Sequence, residues 1–253
     1  MGNRIKDDPI IEVKNLTAGY GDFILFDNIS LHVNRGEIFA ILGTSGCGKS
    51  TLMKLMTGLI KPKKGSIQIQ GKELAGARLD QRIEILRQIG VAFQSGALFG
   101  SMTILENVKL PLEEFSNLPE KAMDAIARTK LSLVGLGENE DFMPDALSGG
   151  MKKRAALARA MALDPAIVFL DEPSAGLDPV TSAELDNLIK ALAQALDITF
   201  VIVTHELASI FSIADRVVML DKSTRGIIAT GAPMELKHDR TNPLVYNFFN
   251  RIA

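Results

Sequence analysis

The stretch EIFAILGTSGCGKSTLMKLMTGL, residues 37–59, restricts the possible folds more than any other part of the chain. It opens with a short apolar run that reads as a buried strand. GTSGCGKS at 43–50 follows at once and satisfies the pattern G-x-x-x-x-G-K-[ST]. An amphipathic helical stretch comes next. The glycines let such a loop curl so that successive N–H groups point inward at phosphate oxygens. Gly43, Thr44, Ser45, Gly46, Cys47, Gly48, Lys49, Ser50 and Thr51 are therefore expected around the phosphates of a bound nucleotide. Lys49 adds a mobile positive charge near the β and γ phosphates, and the Ser50 hydroxyl can ligate Mg²⁺.

The rest of the chain has to supply a layered α/β fold around that strand. IIEVKNL, FILFDNISLHV and KGSIQIQGKEL read as strands, RLDQRIEILRQIG as a charged helix, and VAFQ as a short strand. From Ser101 to Leu163 the pattern turns helical, in ILENVKLPLEEF, EKAMDAIARTKLSLVGL and MKKRAALARAMAL. Strands then return as AIVFLDEP, ITFVIVTHE, RVVMLDK and GIIATG, with helices SAELDNLIKALAQAL and LASIFSIA between them. Apolar strands alternating with helices imply a mostly parallel, two-sided core sheet. The expected organisation is one α/β domain over 1–253. Its core and β portion fall at about 1–100 and 164–253, and a helical insert at 101–163.

Composition limits the partners. The chain has 28 Lys and Arg against 30 Asp and Glu, a net charge of −2. That balance argues against a broad electrostatic nucleic-acid binder, so no nucleic-acid partner is expected. Cys47 has no second cysteine to pair with, which points to a reducing compartment. No run approaches the roughly 18–20 apolar residues needed to span a bilayer, and a cytoplasmic location is expected.

Several further residues carry chemistry. AIVFLDEP ends an apolar strand on two carboxylates. Asp171 would stand near Mg²⁺, and Glu172 would point elsewhere and polarise an attacking water. Gln94, closing VAFQ, offers a neutral amide to Mg²⁺ or water. His205 ends the apolar run ITFVIVTH, on the sheet edge where nucleotides bind in such folds. Tyr20 sits in the glycine-flanked turn AGYGD and either stacks on a purine or covers the local sheet. LSGGMKKRAALARA is a second anion-holding design: Ser148 can cap a helix, and Gly149 and Gly150 let backbone N–H groups approach closely.

Together these residues resemble the nucleotide-binding subunit of an ABC transporter over nearly the whole chain. Tyr20 falls at that family's adenine-stacking position, GTSGCGKST is its Walker A loop, and Gln94 its Q-loop glutamine. LSGGM matches the ABC signature, VFLDEP the Walker B strand, SAGLDP the D-loop, and His205 the switch histidine. The resemblance implies the P-loop NTPase fold of ABC ATPases, with a mostly parallel core sheet, an antiparallel β subdomain and an inserted helical subdomain. It implies ATP and Mg²⁺ as ligands, and a head-to-tail pair with two ATP molecules between subunits. Ser148, Gly149 and Gly150 would hold the γ-phosphate bound by the other copy, and Asp178 would communicate across the interface. Glu172, His205 and Gln94 would carry hydrolysis.

Met151, standing where many members have Gln, and the stretches FQSGALFGSMTILENVKLPL and THELASIFSIADRVVML resemble the Mla- or Mkl-type group within that family. That group moves phospholipid between membranes with an MCE-domain partner. The likeness implies an integral membrane permease docked near residues 95–114, attachment to the cytoplasmic face of the inner membrane, and room for a small soluble regulatory subunit. Another cargo (amino acids, metal chelates or lipoproteins) and a non-transport ABC role remain the alternatives. The tail NPLVYNFFNRIA either packs back on the core or covers a neighbouring subunit. Cys47, placed inside the phosphate loop, implies that a bulky thiol reagent blocks ATP binding.

Overall fold

The computed structural model describes residues 8–252. The chain opens with two long strands, β1 (Pro9–Tyr20) and β2 (Phe23–Asn34), followed by β3 (Ile38–Gly43) and helix α1 (Lys49–Met56). Next come the hairpin β4 (Lys64–Ile69) and β5 (Lys72–Glu73), helix α2 (Leu79–Leu86) and β6 (Ile89–Ala92). The stretch KGSIQIQGKEL, read as a strand ending in a turn, is that strand and turn, with two further residues pairing back as β5. Gln70 and Gly71 both adopt positive φ, 51° and 74°, which turns the chain into a tight hairpin.

Helices α3 (Ile104–Phe115), α4 (Glu120–Leu133) and α5 (Gly149–Ala160) form the helical segment. Thr103 caps α3 with a reciprocal capping box to Glu106. Then β7 (Ile167–Asp171), α6 (Pro179–Leu196), β8 (Thr199–Val203), α7 (Leu207–Ile213), β9 (Arg216–Asp221) and β10 (Gly226–Gly231) complete the α/β part. The tail folds into two short helices, α8 (Pro233–His238) and α9 (Pro243–Asn250).

Among the described residues the strands form two sheets. One is four-stranded and antiparallel in the order β2-β1-β4-β5; the other is six-stranded in the order β10-β9-β3-β8-β7-β6. Within the second, every pairing is parallel except β9 with β10. The architecture is the expected α/β one, a mostly parallel core sheet with an antiparallel β part and an inserted helical segment. The inner strands β3 and β8 are buried along their whole length, as a sheet covered on both faces requires.

Period-2 alternation sorts β8 cleanly. Phe200 and Ile202 join the cluster under α3–α6, while Val201 and Val203 join the cluster shared with β1, β2 and α1. Arg216 ties the sheets together, donating to Glu37 Oε1 at 2.6 Å and to the His32 carbonyl at 2.8 Å.

Register delivers the functional residues to one edge. Gly43 ends β3, and Ile41 and Asp171 both pair with Val203; Ala92 pairs with Leu170. Because these strands run parallel, their carboxyl ends open on the same side.

Candidate active site and its relatives

The carboxyl edge of the sheet opens into a cleft of about 1010 Å³. Gly43, Thr44, Ser45, Gly46, Gly48, Lys49, Ser50 and Thr51 line its floor, with Gln94, Asp171, Glu172, His205 and Tyr20 around them. Residues more than a hundred positions apart in sequence are thus gathered into one site.

Two loop glycines are forced. Gly43 has φ 144°, and a Cβ there would stand 2.4 Å from the Leu220 carbonyl oxygen. Gly48 has φ 104°, and its Cβ would stand 2.5 Å from the Phe26 ring. Lys49 Nζ donates to the Gly43 carbonyl at 2.9 Å, so the ammonium is held over the curled loop.

Asp171 stands at the end of β7 with Oδ1 3.4 Å from the Ser50 hydroxyl. Burial pushes its carboxyl up and the Glu172 charge adds to this, while Ser50, Lys54 and Lys49 pull it back. Glu172 leaves the strand in the left-handed region, φ 47°. A non-glycine residue there costs about 1–3 kcal/mol and persists only when its surroundings over-determine it. Its N–H donates to the Val203 carbonyl at 2.8 Å and its carbonyl accepts from Ala175 N–H at 3.1 Å. The turn aims the side chain toward the histidine: Oε1 lies 2.8 Å from His205 Nδ1, and Oε2 is buried with no hydrogen-bond partner among the described residues. One carboxylate can therefore face a cation while its neighbour faces a histidine.

Tyr20 is half exposed, with its hydroxyl 3.3 Å from Thr51 Oγ1, so its ring lies at the mouth of the cleft. Cys47 requires a correction. It is the one residue of 43–51 absent from the cleft lining; its side chain is buried in the core cluster beneath the loop. Burial pushes its thiol up, with Lys49 opposing. The expected ready blockade by a bulky thiol reagent does not follow from this geometry, because the sulfur faces the core.

Ser148, Gly149, Gly150 and Asp178 are not among the residues lining the cleft. Ser148 caps α5, its hydroxyl accepting from Met151 N–H at 3.2 Å. Asp178 caps α6: Oδ1 accepts from Val180 N–H at 3.0 Å and Thr181 N–H at 3.1 Å, and Oδ2 from the Thr181 hydroxyl at 2.6 Å. That hydroxyl, first among its partners, holds the Asp178 carboxyl below its usual range. The two segments abut, since a Cβ on Gly150 would come within 2.6 Å of the Thr181 methyl.

Sequence reasoning missed Phe23, Leu25 and Phe248 on the cleft wall. Phe23 was within reach, lying three residues beyond Tyr20 across a turn. Phe248 belongs to the aromatic tail, which packs back on its own core: Val245 and Phe249 are buried with Ile210 of α7, and Phe249 meets Phe211 at 5.9 Å between ring centroids.

A separate apolar groove of about 240 Å³ runs between α2, β6, α3 and α5, walled by Ile83, Leu86, Val91, Pro111, Phe115 and Leu163. Of the expected docking span 95–114, only Pro111 lines it. Residues 99–103 of that span are held by fully buried Asn107, whose side chain accepts from Phe99 N–H at 2.8 Å and donates to the carbonyls of Phe99, Met102 and Thr103.

The fold, the phosphate loop and the paired carboxylates define an ATP-hydrolysing domain, and the chain belongs to the ABC transporter family, whose profile matches residues 26–175. It is the ATP-binding subunit type of that family. The chain is 41% identical over 227 residues to the intermembrane phospholipid transport system ATP-binding protein MlaF of Haemophilus influenzae, covering 90% of this chain and 85% of that one. It is 39% identical to MlaF of Escherichia coli K12, covering 96% and 90%. With the probable ribonucleotide transport ATP-binding protein mkl of Mycobacterium leprae it shares 40% identity, covering 95% and 68%. Among solved structures, cbiO1 from Clostridium perfringens, part of the ABC transporter complex cbiONQ, superposes with TM-score 0.84 at 30% identity, covering 92% of each chain. The ATP-binding cassette MJ0796, a dimer in a post-hydrolysis state bound to ADP and Pi, superposes with TM-score 0.78 at 30% identity, covering 88% of this chain and 98% of that one.

Proposed function

We propose that two copies of this chain close head to tail on two ATP molecules, and that the cycle of closure and hydrolysis drives phospholipid movement between membranes through an integral permease. The observation that carries the pairing is the split anion site. The signature segment Ser148–Gly150 stands outside the cleft that contains its own phosphate loop. A second copy supplies what one copy lacks. The phospholipid cargo rests on 39–41% identity to relatives named for that transport. The mkl relatives, named for ribonucleotide transport, favour a second reading in which the cargo is a ribonucleotide.

Within each site, Tyr20 stacks on the adenine and the loop N–H groups with Lys49 hold the phosphates. Ser50, Asp171 and Gln94 suit Mg²⁺, a hard cation bound by few protein oxygens and by phosphate. Held there, the ion would supply positive charge beside the phosphates. Glu172 accepts a proton from the attacking water, and His205 fixes that carboxylate through Oε1. The partner's Ser148, Gly149 and Gly150 close over the γ-phosphate with the helix N-terminus of α5 behind them. Asp178 stiffens the interface segment by capping α6.

Among the described residues no helix is long and apolar enough to cross a membrane. The apolar groove by Pro111 and Phe115 is the proposed seat for a permease segment at the cytoplasmic face of the inner membrane. An MCE-domain lipid-binding protein and a small soluble regulatory subunit complete the proposed assembly.

The test is to tag the chain in its native cell, extract membranes in mild detergent and identify co-purifying proteins and lipids. A permease with an MCE-type protein and bound phospholipid supports the reading. A permease with a soluble-ligand binding protein replaces the cargo, and recovery of only soluble partners refutes the transport role.

A further inference from the structure

A lysine on a helix surface normally runs its stem along the protein and leaves its ammonium in water. Lys153, in the second turn of the signature helix α5, does not. Its Nζ donates to the Gln94 carbonyl at 2.5 Å and to the Glu172 carbonyl at 3.1 Å. These belong to two separate segments, the loop after β6 and the turn after β7, which leave the sheet side by side from paired strands. One ammonium thus ties both to α5.

The Glu172 carbonyl is a consequential place to hold. That residue sits at φ 47°, a conformation its own side chain disfavours, and the direction of its carboxylate toward His205 depends on it. Of the restraints on its peptide groups, Lys153 is the one that comes from the helical segment; the Val203 carbonyl and the Ala175 N–H lie in the α/β part. Further along α5, Arg159 does the same for the far end of the Gln94 loop, donating to the Gly96 carbonyl at 2.9 Å and the Ala97 carbonyl at 2.8 Å. Arg159 also lines the apolar groove. The helix that presents Ser148 is therefore bonded to the loop after Gln94 at both ends, and at one of them to the backbone of Glu172.

We infer that Lys153 is a positioning residue for ATP hydrolysis: by bridging the Gln94 and Glu172 carbonyls within one chain, it makes the Glu172 carboxylate move with the signature helix. Movement of α5, whether caused by a partner's phosphate at Ser148 or by a segment seated in the groove, then reaches the carboxylate directly. The inference rests on the proposed role of Glu172 in activating water.

The experiment compares K153M, K153R and E172Q with the wild type in the full chain, by steady-state ATPase at varied ATP and by thermal melting. Displacing a reacting group by a fraction of an ångström slows chemistry more than binding, so K153M should lower kcat about tenfold with KM for ATP within about twofold. Its melting midpoint should match wild type, and K153R, which can donate to both carbonyls, should recover most of the rate. K153Q, which keeps a donor but is too short to bridge, replaces K153M if that variant melts early. Wild-type kcat in K153M beside an inactive E172Q overturns the inference alone. A rise in KM with kcat unchanged overturns it too, as does a K153R as slow as K153M. An E172Q that turns over normally overturns the role of Glu172 on which it stands.

Discussion

Gly90 in β6 makes the sharpest test of how α5 is seated. Its backbone is not left-handed, so alanine fits the strand dihedrals, and by conformational entropy alone Gly90→Ala should stabilise by about 0.4–1 kcal/mol. The surroundings reverse that sign. A Cβ at Gly90 would stand 2.0 Å from the Ala160 carbonyl oxygen and 2.8 Å from its carbon, backbone atoms at the last residue of α5. Ordinary contact begins near 3.4 Å, so the helix end must retreat by about 1.4 Å. Overpacking costs about 1–3 kcal/mol, and a clash with backbone belongs in the upper half of that range, about 2–3 kcal/mol, which less the entropic gain leaves a net loss of about 1–2.6 kcal/mol. For a chain of this size that lowers the melting midpoint by about 2–10 °C. Because α5 also presents Ser148 and holds the Gln94 loop, an ångström-scale shift should cut ATPase activity by about tenfold or more. Differential scanning fluorimetry and a coupled ATPase assay measure both. A G90A protein with wild-type melting and wild-type turnover would refute the claim that β6 and α5 are in backbone contact there.

Three other outcomes follow from the site and core. Glu172→Gln keeps shape and the His205 contact but removes the proposed base, so kcat should fall by about a hundredfold or more while an ATP-bound pair accumulates in size-exclusion chromatography; normal turnover would remove Glu172 from that role. Maleimide labelling of native protein at neutral pH should be slow, because Cys47 is buried and burial pushes its thiol up, and unfolding in denaturant should make it fast. Rapid stoichiometric labelling of the folded chain would contradict that placement. Asp186 on α6 is buried against Ile210 and Ile213 of α7; burial pushes its carboxyl above 3.8, Ser209 pulls it back and Glu206 adds to the rise. The native state therefore holds this proton to higher pH than the unfolded chain, and stability falls as pH rises from 3.8 through the raised native value. Asp186→Asn should accordingly melt higher than wild type near neutral pH, with the difference vanishing toward acid; a pH-independent difference would show that the carboxyl does not titrate there.

The phosphate loop was legible in the sequence because its chemistry is local. Eight consecutive residues supply the curl, the amine and the hydroxyl, and Gly43 and Gly48 take the positive φ that such a curl needs. Ser148 as a helix cap, the carboxylates closing an apolar strand, and the alternation that makes a parallel sheet are likewise written in near neighbours. Tertiary structure alone decided the rest. Periodicity says that Val203 ends a strand, but the register that sets it beside Asp171, with His205 against Glu172, comes from strand order over long separations. The same holds for Cys47 turning inward beneath the loop it belongs to, for Phe248 arriving at the cleft from the tail, and for Lys153 joining two segments 59 and 19 residues away. A local pattern specifies what a segment can present, because dihedral preference and solvent exposure act on adjacent residues. Which segment it presents it to is settled by packing, where the close contact of Gly90 with Ala160 fixes how β6 and α5 meet.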